Sequence, residues 1–120
     1  MALTYTNTVT TTFVLGGFPK TISNTYTASL SSSNYQTNGF TVDNTKMLLP
    51  VGTVGDIRQL TIKNLSTASI SCSMNAASNS IAVIRPLSTF SIEPPPGVLT
   101  YYVTSSLAGA DIEYIMLESN

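Results

Sequence analysis

The 120 residues include no His, no Trp, a single Cys and only 9% charged side chains, with a net charge of -1. Five Lys/Arg supply no basic patch to neutralise phosphates or to attract a membrane surface, so neither nucleic acid nor membrane is an expected partner. The length fits one domain able to bury roughly two-thirds of its unfolded surface in a two-layer core.

The chain opens without a basic, apolar leader, no run reaches transmembrane length, and one cysteine makes no internal disulfide. Those features predict a protein made in a reducing cytoplasm and held together by its core. From Leu3 to Leu15 the odd positions carry Leu3, Tyr5, Val9, Phe13 and Leu15 against Thr4, Thr6, Thr8, Thr10 and Thr12. A second segment sets Ile22, Tyr26, Ala28 and Leu30 against Thr21, Ser23, Thr25, Thr27 and Ser29. This period of two predicts strands, and Gly16-Gly17-Phe18-Pro19 supplies the turn of a hairpin between them.

Asn38-Gly39 is expected to be a further tight turn, followed by a short strand at Phe40-Thr41-Val42 that continues toward Met47-Leu48-Leu49. Pro50 and Gly52 then interrupt it, and Val51 to Asp56 forms a loop leading into the strand at Ile57. Strands follow at Leu60-Thr61-Ile62, at Ala68 to Met74 (which directs Cys72 inward), at Ile81 to Ile84 and at Phe90 to Ile92. Pro86 marks an edge or strand end, and Pro94-Pro95-Pro96-Gly97 is a stiff connection ending in a turn.

The last two strands run from Val98 to Thr104 and from Asp111 to Glu118; the latter carries apolar side chains on both faces and is placed centrally in a sheet or against another subunit. Eight or nine short strands without a helix predict an all-β antiparallel β-sandwich, jelly-roll or Greek-key like. Residues 1–120 are expected to form a single sandwich domain, with 1–15 as an exchanged or edge strand.

Ser-His-Asp and Cys-His mechanisms need an imidazole to take the nucleophile's proton, and the chain has none. Cys72 is a core side chain rather than a nucleophile, and Asp43 with Asn44 are turn residues rather than calcium ligands. Asp111 and Glu113 share a strand face on the order of 7 Å apart, and are read as solvated rather than as a glycosidase pair. Gly16 to Thr21 lacks the glycine spacing of a phosphate loop, and the triplet Asn64-Leu65-Ser66 is an accidental glycosylation signal. No catalytic, metal or cofactor site is expected, and the protein is read as non-enzymatic.

Recognition by surface remains. Charge, the usual guard against edge pairing, is scarce, which points either to assembly, with a homo-oligomer expected, or to a surface that abundant Ser, Thr and Asn hydrate without charge. Tyr26, Tyr35, Tyr101, Tyr102 and Tyr114 are candidate anchors, with Tyr101 and Tyr102 on opposite faces of one strand.

The run Leu60-Thr61-Ile62-Lys63-Asn64-Leu65-Ser66, the turn at Pro94 to Gly97, Tyr101-Tyr102-Val103, and Ala108-Gly109-Ala110-Asp111-Ile112-Glu113-Tyr114-Ile115 together resemble small virion proteins of tailed bacteriophages. The resemblance covers mostly the second half of the chain. It implies an all-β auxiliary virion component, first of all a capsid decoration or cement protein that binds the major capsid protein or other virion proteins and stabilises the head. A small fibre, tail or neck component that reads a receptor glycan through loops such as Ser31 to Gly39 is the alternative.

Overall fold

The computed structural model describes residues 3–30, 34–76, 80–94 and 97–118, and among these all regular structure is strand. Ten antiparallel strands occur in two compact units, residues 1–33 and 34–120.

The first unit is one hairpin. Strands β1 (Leu3–Leu15) and β2 (Phe18–Leu30) pair in unbroken register over 13 residues, from Leu3 opposite Leu30 to Leu15 opposite Phe18. The connection is the two residues Gly16 and Gly17, with φ of 59° and 82°. Positive φ at both central positions matches the right-handed twist of the flanking strands, and glycine adopts it without a Cβ penalty.

The second unit is a β-sandwich. One sheet has the order β3 (Tyr35–Val42), β10 (Ala110–Glu118), β5 (Ile57–Asn64), β8 (Thr89–Ile92). The other has the order β4 (Met47–Leu48), β9 (Tyr101–Ser105), β6 (Ile70–Met74), β7 (Ser80–Ile84). The pairings are nested: β3 lies beside β10, β4 beside β9, β5 beside β8 and β6 beside β7. A chain wound this way brings its first and last sandwich strands together, so the sheets close around contacts remote in sequence.

Alternation selects the core. On β10, Ala110, Ile112, Tyr114 and Met116 are buried while Asp111, Glu113 and Ile115 face outward. They join Leu60 and Ile62 of β5, Ile70 and Cys72 of β6, and Tyr101 and Val103 of β9 in one cluster between the sheets. The central position expected for the last strand is observed, with β3 on one side and β5 on the other.

Two local expectations are corrected. Asn38-Gly39 is no turn: both residues lie inside β3, opposite Tyr114 and Glu113, and Gly39 lacks the positive φ that a primed turn needs. Pairing with β10 overrides the local dipeptide signal, which only a competing strand could redirect. Nor does the strand of Phe40 continue to Met47, since β4 belongs to the opposite sheet and the intervening residues carry the chain across.

Candidate interaction surfaces

The hairpin's two faces differ sharply. On one, hydroxyls meet rung by rung: Thr4 with Ser29 at 3.3 Å, Thr6 with Thr27 at 3.0 Å, Thr8 with Thr25 at 3.3 Å, Thr10 with Ser23 at 2.9 Å and Thr12 with Thr21 at 3.0 Å. On the other face lie Tyr5, Val9, Phe13 and Leu15 from β1, with Phe18, Ile22, Tyr26 and Ala28 from β2, interspersed with Asn7, Thr11, Lys20 and Asn24. Val9, Phe13, Leu15, Phe18 and Ile22 remain between 53% and 80% exposed. Tyr5 and Tyr26 make an edge-to-face contact at 6.2 Å across the strands.

Lys20 is the only charged residue between positions 1 and 42. Among the described residues each strand of this two-stranded sheet pairs with the other alone, so both are edges, and neither carries an acidic residue.

The sandwich treats its polar groups differently. Asn64, fully buried at the end of β5, donates through Nδ2 to the carbonyls of Ala68 (2.7 Å), Arg85 (3.1 Å) and Ile84 (3.2 Å). Its Oδ1 accepts from the Ser66 hydroxyl at 2.7 Å and the Ser66 amide at 3.0 Å. One side chain thereby ties the β5–β6 connection to the β7–β8 connection, and its burial leaves no room for a glycan.

Glu118 performs a similar service at the other end of the sheet, accepting from the Gly55 amide at 2.7 Å and Asn34 Nδ2 at 3.0 Å. The Tyr114 hydroxyl donates to the Pro50 carbonyl at 2.7 Å. Sequence reading missed these clamps; the Asx-turn spacing of Asn64 and Ser66 was the available signal.

The acidic candidates stay apart in function. Asp111 accepts from the Thr41 hydroxyl at 2.8 Å, and Glu113 lies 4.0 Å from the Lys63 ammonium. The Asp43 amide contacts the Met47 sulfur at 3.2 Å, and its carbonyl accepts from the Ser105 amide at 2.9 Å.

Cys72 is wholly buried, and desolvation pushes its thiol up to about 12, the reverse of what a nucleophile needs. Tyr101 is raised by burial and by the neighbouring Cys72, and Tyr114 by burial, with a Gln36 hydrogen bond pulling back. Of the tyrosines singled out, Tyr101 and Tyr114 are therefore core, Tyr102 is half-buried, and Tyr35 and Tyr26 are exposed.

The outer face of the β3-β10-β5-β8 sheet holds an open depression of about 330 Å³ lined by Thr37, Thr61, Lys63, Thr89, Glu113 and Ile115. It offers hydroxyls and one ion pair for hydrogen bonding. The candidate glycan loop is mostly strand, since Tyr35 to Gly39 belong to β3, and Ser31 to Ser33 lie outside the described residues. At the Val51 to Asp56 loop, Gly52 has φ of 57° and lies against Gln36, so any Cβ would collide with that amide. No helix among the described residues is long and apolar enough to cross a membrane.

Comparison with family models, with curated proteins and with solved structures finds no match for the chain.

Proposed function

We propose that this chain is a non-enzymatic virion structural protein, a capsid decoration or cement component that binds the major capsid protein of a tailed phage and stabilises the head. The observation that carries the reading is the hairpin. A 13-residue ribbon that keeps a row of large apolar side chains exposed marks a chain that works by assembly with other protein surfaces, its own copies included.

The sandwich fits such a role as a rigid support. Its buried apolar residues form one cluster, its buried Asn64 is fully hydrogen-bonded, and its nested strand pairing supports reading it as a jelly roll, an architecture shared by capsid and lectin domains. The absence of His agrees with a protein whose product is an interface, repeated on a symmetric shell so that modest contacts sum.

Purified protein mixed with shells of the phage that encodes it is expected to pellet with them through a sucrose cushion. Protein left in the supernatant under conditions where the shells stay intact contradicts the reading. Binding instead to host-cell glycans, with Thr61, Lys63 and Glu113 required, assigns the protein to the fibre class.

A further inference from the structure

We infer that the apolar face of the β1-β2 ribbon is covered by the same face of a second copy of this chain, so that the ribbon is a dimerisation arm. The inference rests on the structural-protein reading and names the partner of one of its surfaces.

Three observations favour a second copy over a foreign surface. The first is area. Val9, Phe13, Leu15, Phe18, Ile22 and Tyr26, at their observed exposures, present roughly 600 Å² per copy, taking about 150–250 Å² for a whole aromatic side chain. Two such faces together bury about 1,200 Å², above the roughly 1,000 Å² that a specific interface needs.

The second is shape. Thirteen residues at about 3.4 Å each make a strip roughly 44 Å long and only two strands wide. Its natural complement is another strip of the same length and polarity, which a two-fold axis supplies automatically.

The third is charge. With Lys20 as the one charge on this face, opposite Phe13, and no acid on the ribbon, the surface offers nothing to a basic partner and only a single cation to an acidic one. A two-fold axis near the central rung, Val9 opposite Asn24, sets the two Lys20 side chains toward opposite ends of the pair. Like charges then stay apart.

Isolated two-stranded hairpins are marginal in water, and these strands are longer than the usual three to ten residues. Covering the apolar face removes that difficulty for both copies at once.

The test is the mass of the full chain in solution by light scattering across a dilution series. The native protein is expected to dimerise, and Ile22→Asp to weaken the dimer about 100-fold or more by burying an unpaired charge. Thr10→Asp, on the hydroxyl face, is expected to leave the dimer unchanged. Because Ile22→Asp alone could unravel the ribbon, Val9→Cys and Thr10→Cys provide a second reading: Val9→Cys cross-links copies on oxidation and Thr10→Cys does not.

A native chain that is monomeric at every concentration, or equal cross-linking from both faces, overturns the inference. Shell co-sedimentation separates the two levels. A monomer that still pellets with shells sinks the dimer but leaves the functional reading standing, whereas a dimer that ignores shells does the reverse.

Discussion

The ribbon and the sandwich are written in the same alphabet, Ser/Thr alternating with apolar side chains, yet only the sandwich buries what it alternates. On β10 the period of two delivers Ile112, Tyr114 and Met116 to a facing sheet, whereas on β1 it leaves Val9, Phe13 and Leu15 more than half exposed. Alternation specifies which residues share a face; a second layer decides whether that face becomes core. The difference teaches that a strand pattern carries the demand for a partner without saying whether the partner is in the same chain.

The contrast can be broken hardest in the sandwich. Tyr101→Ala, which empties a fully buried site between the sheets, is expected to cost about 3–5 kcal/mol, read as a fall in thermal midpoint. Asn64→Ala is expected to cost about 3 kcal/mol, because the carbonyls of Ala68, Ile84 and Arg85 lose their donor together. A loss under 1 kcal/mol in either variant means that the second unit is not held by its interior.

A pH titration sharpens the comparison without mutation. The Cys72 thiol is raised by burial from an ordinary value of 9.0 to about 12, so between those values the unfolded chain loses a proton that the folded one keeps. The contribution is complete below pH 9 and is lost as pH rises toward 12, at about 1.4 kcal/mol per pH unit. Tyr101 and Tyr114, also raised, act in the same sense at higher pH. Cys72→Ser is expected to flatten the lower part of this fall, measured by denaturant midpoints from pH 8 to 11, and a thiol reagent at pH 8 is expected to label Cys72 only on unfolding.

On the ribbon, Gly16→Val is expected to cost roughly 1–2 kcal/mol by forcing a β-branched residue into left-handed backbone. The loss is confined to amide exchange in residues 3–30. Smallest of all is Glu113→Gln, whose partner Lys63 is 4.0 Å away and exposed; a change of at most about 0.5 kcal/mol in midpoint is expected.

Much of this architecture was legible in residue order. The period of two located nine of the ten strands in substance and turned Cys72 inward, and apolar side chains on both faces of the last strand placed β10 centrally; alternation set Tyr101 and Tyr102 on opposite faces without saying which of them is core. Gly16-Gly17 announced its turn because both residues must adopt positive φ.

Asn38-Gly39 misled because a dipeptide suited to a turn fits an extended strand equally well once β10 is alongside. The nesting of β3 with β10 and β4 with β9 was not legible, since those partners are separated by more than fifty residues and alternation carries no register. Nor could sequence reveal that Val9, Phe13 and Leu15 stay exposed, because Val9 and Ile112 look alike in an alternating pattern.

The most direct test is hydrogen exchange of the full chain at two protein concentrations a hundredfold apart. Amides of β1 and β2 are expected to lose protection on dilution, while those of β5, β6, β9 and β10 hold theirs unchanged. Ribbon amides that stay as protected as the sandwich at both concentrations would contradict the claim that this hairpin needs a second molecule.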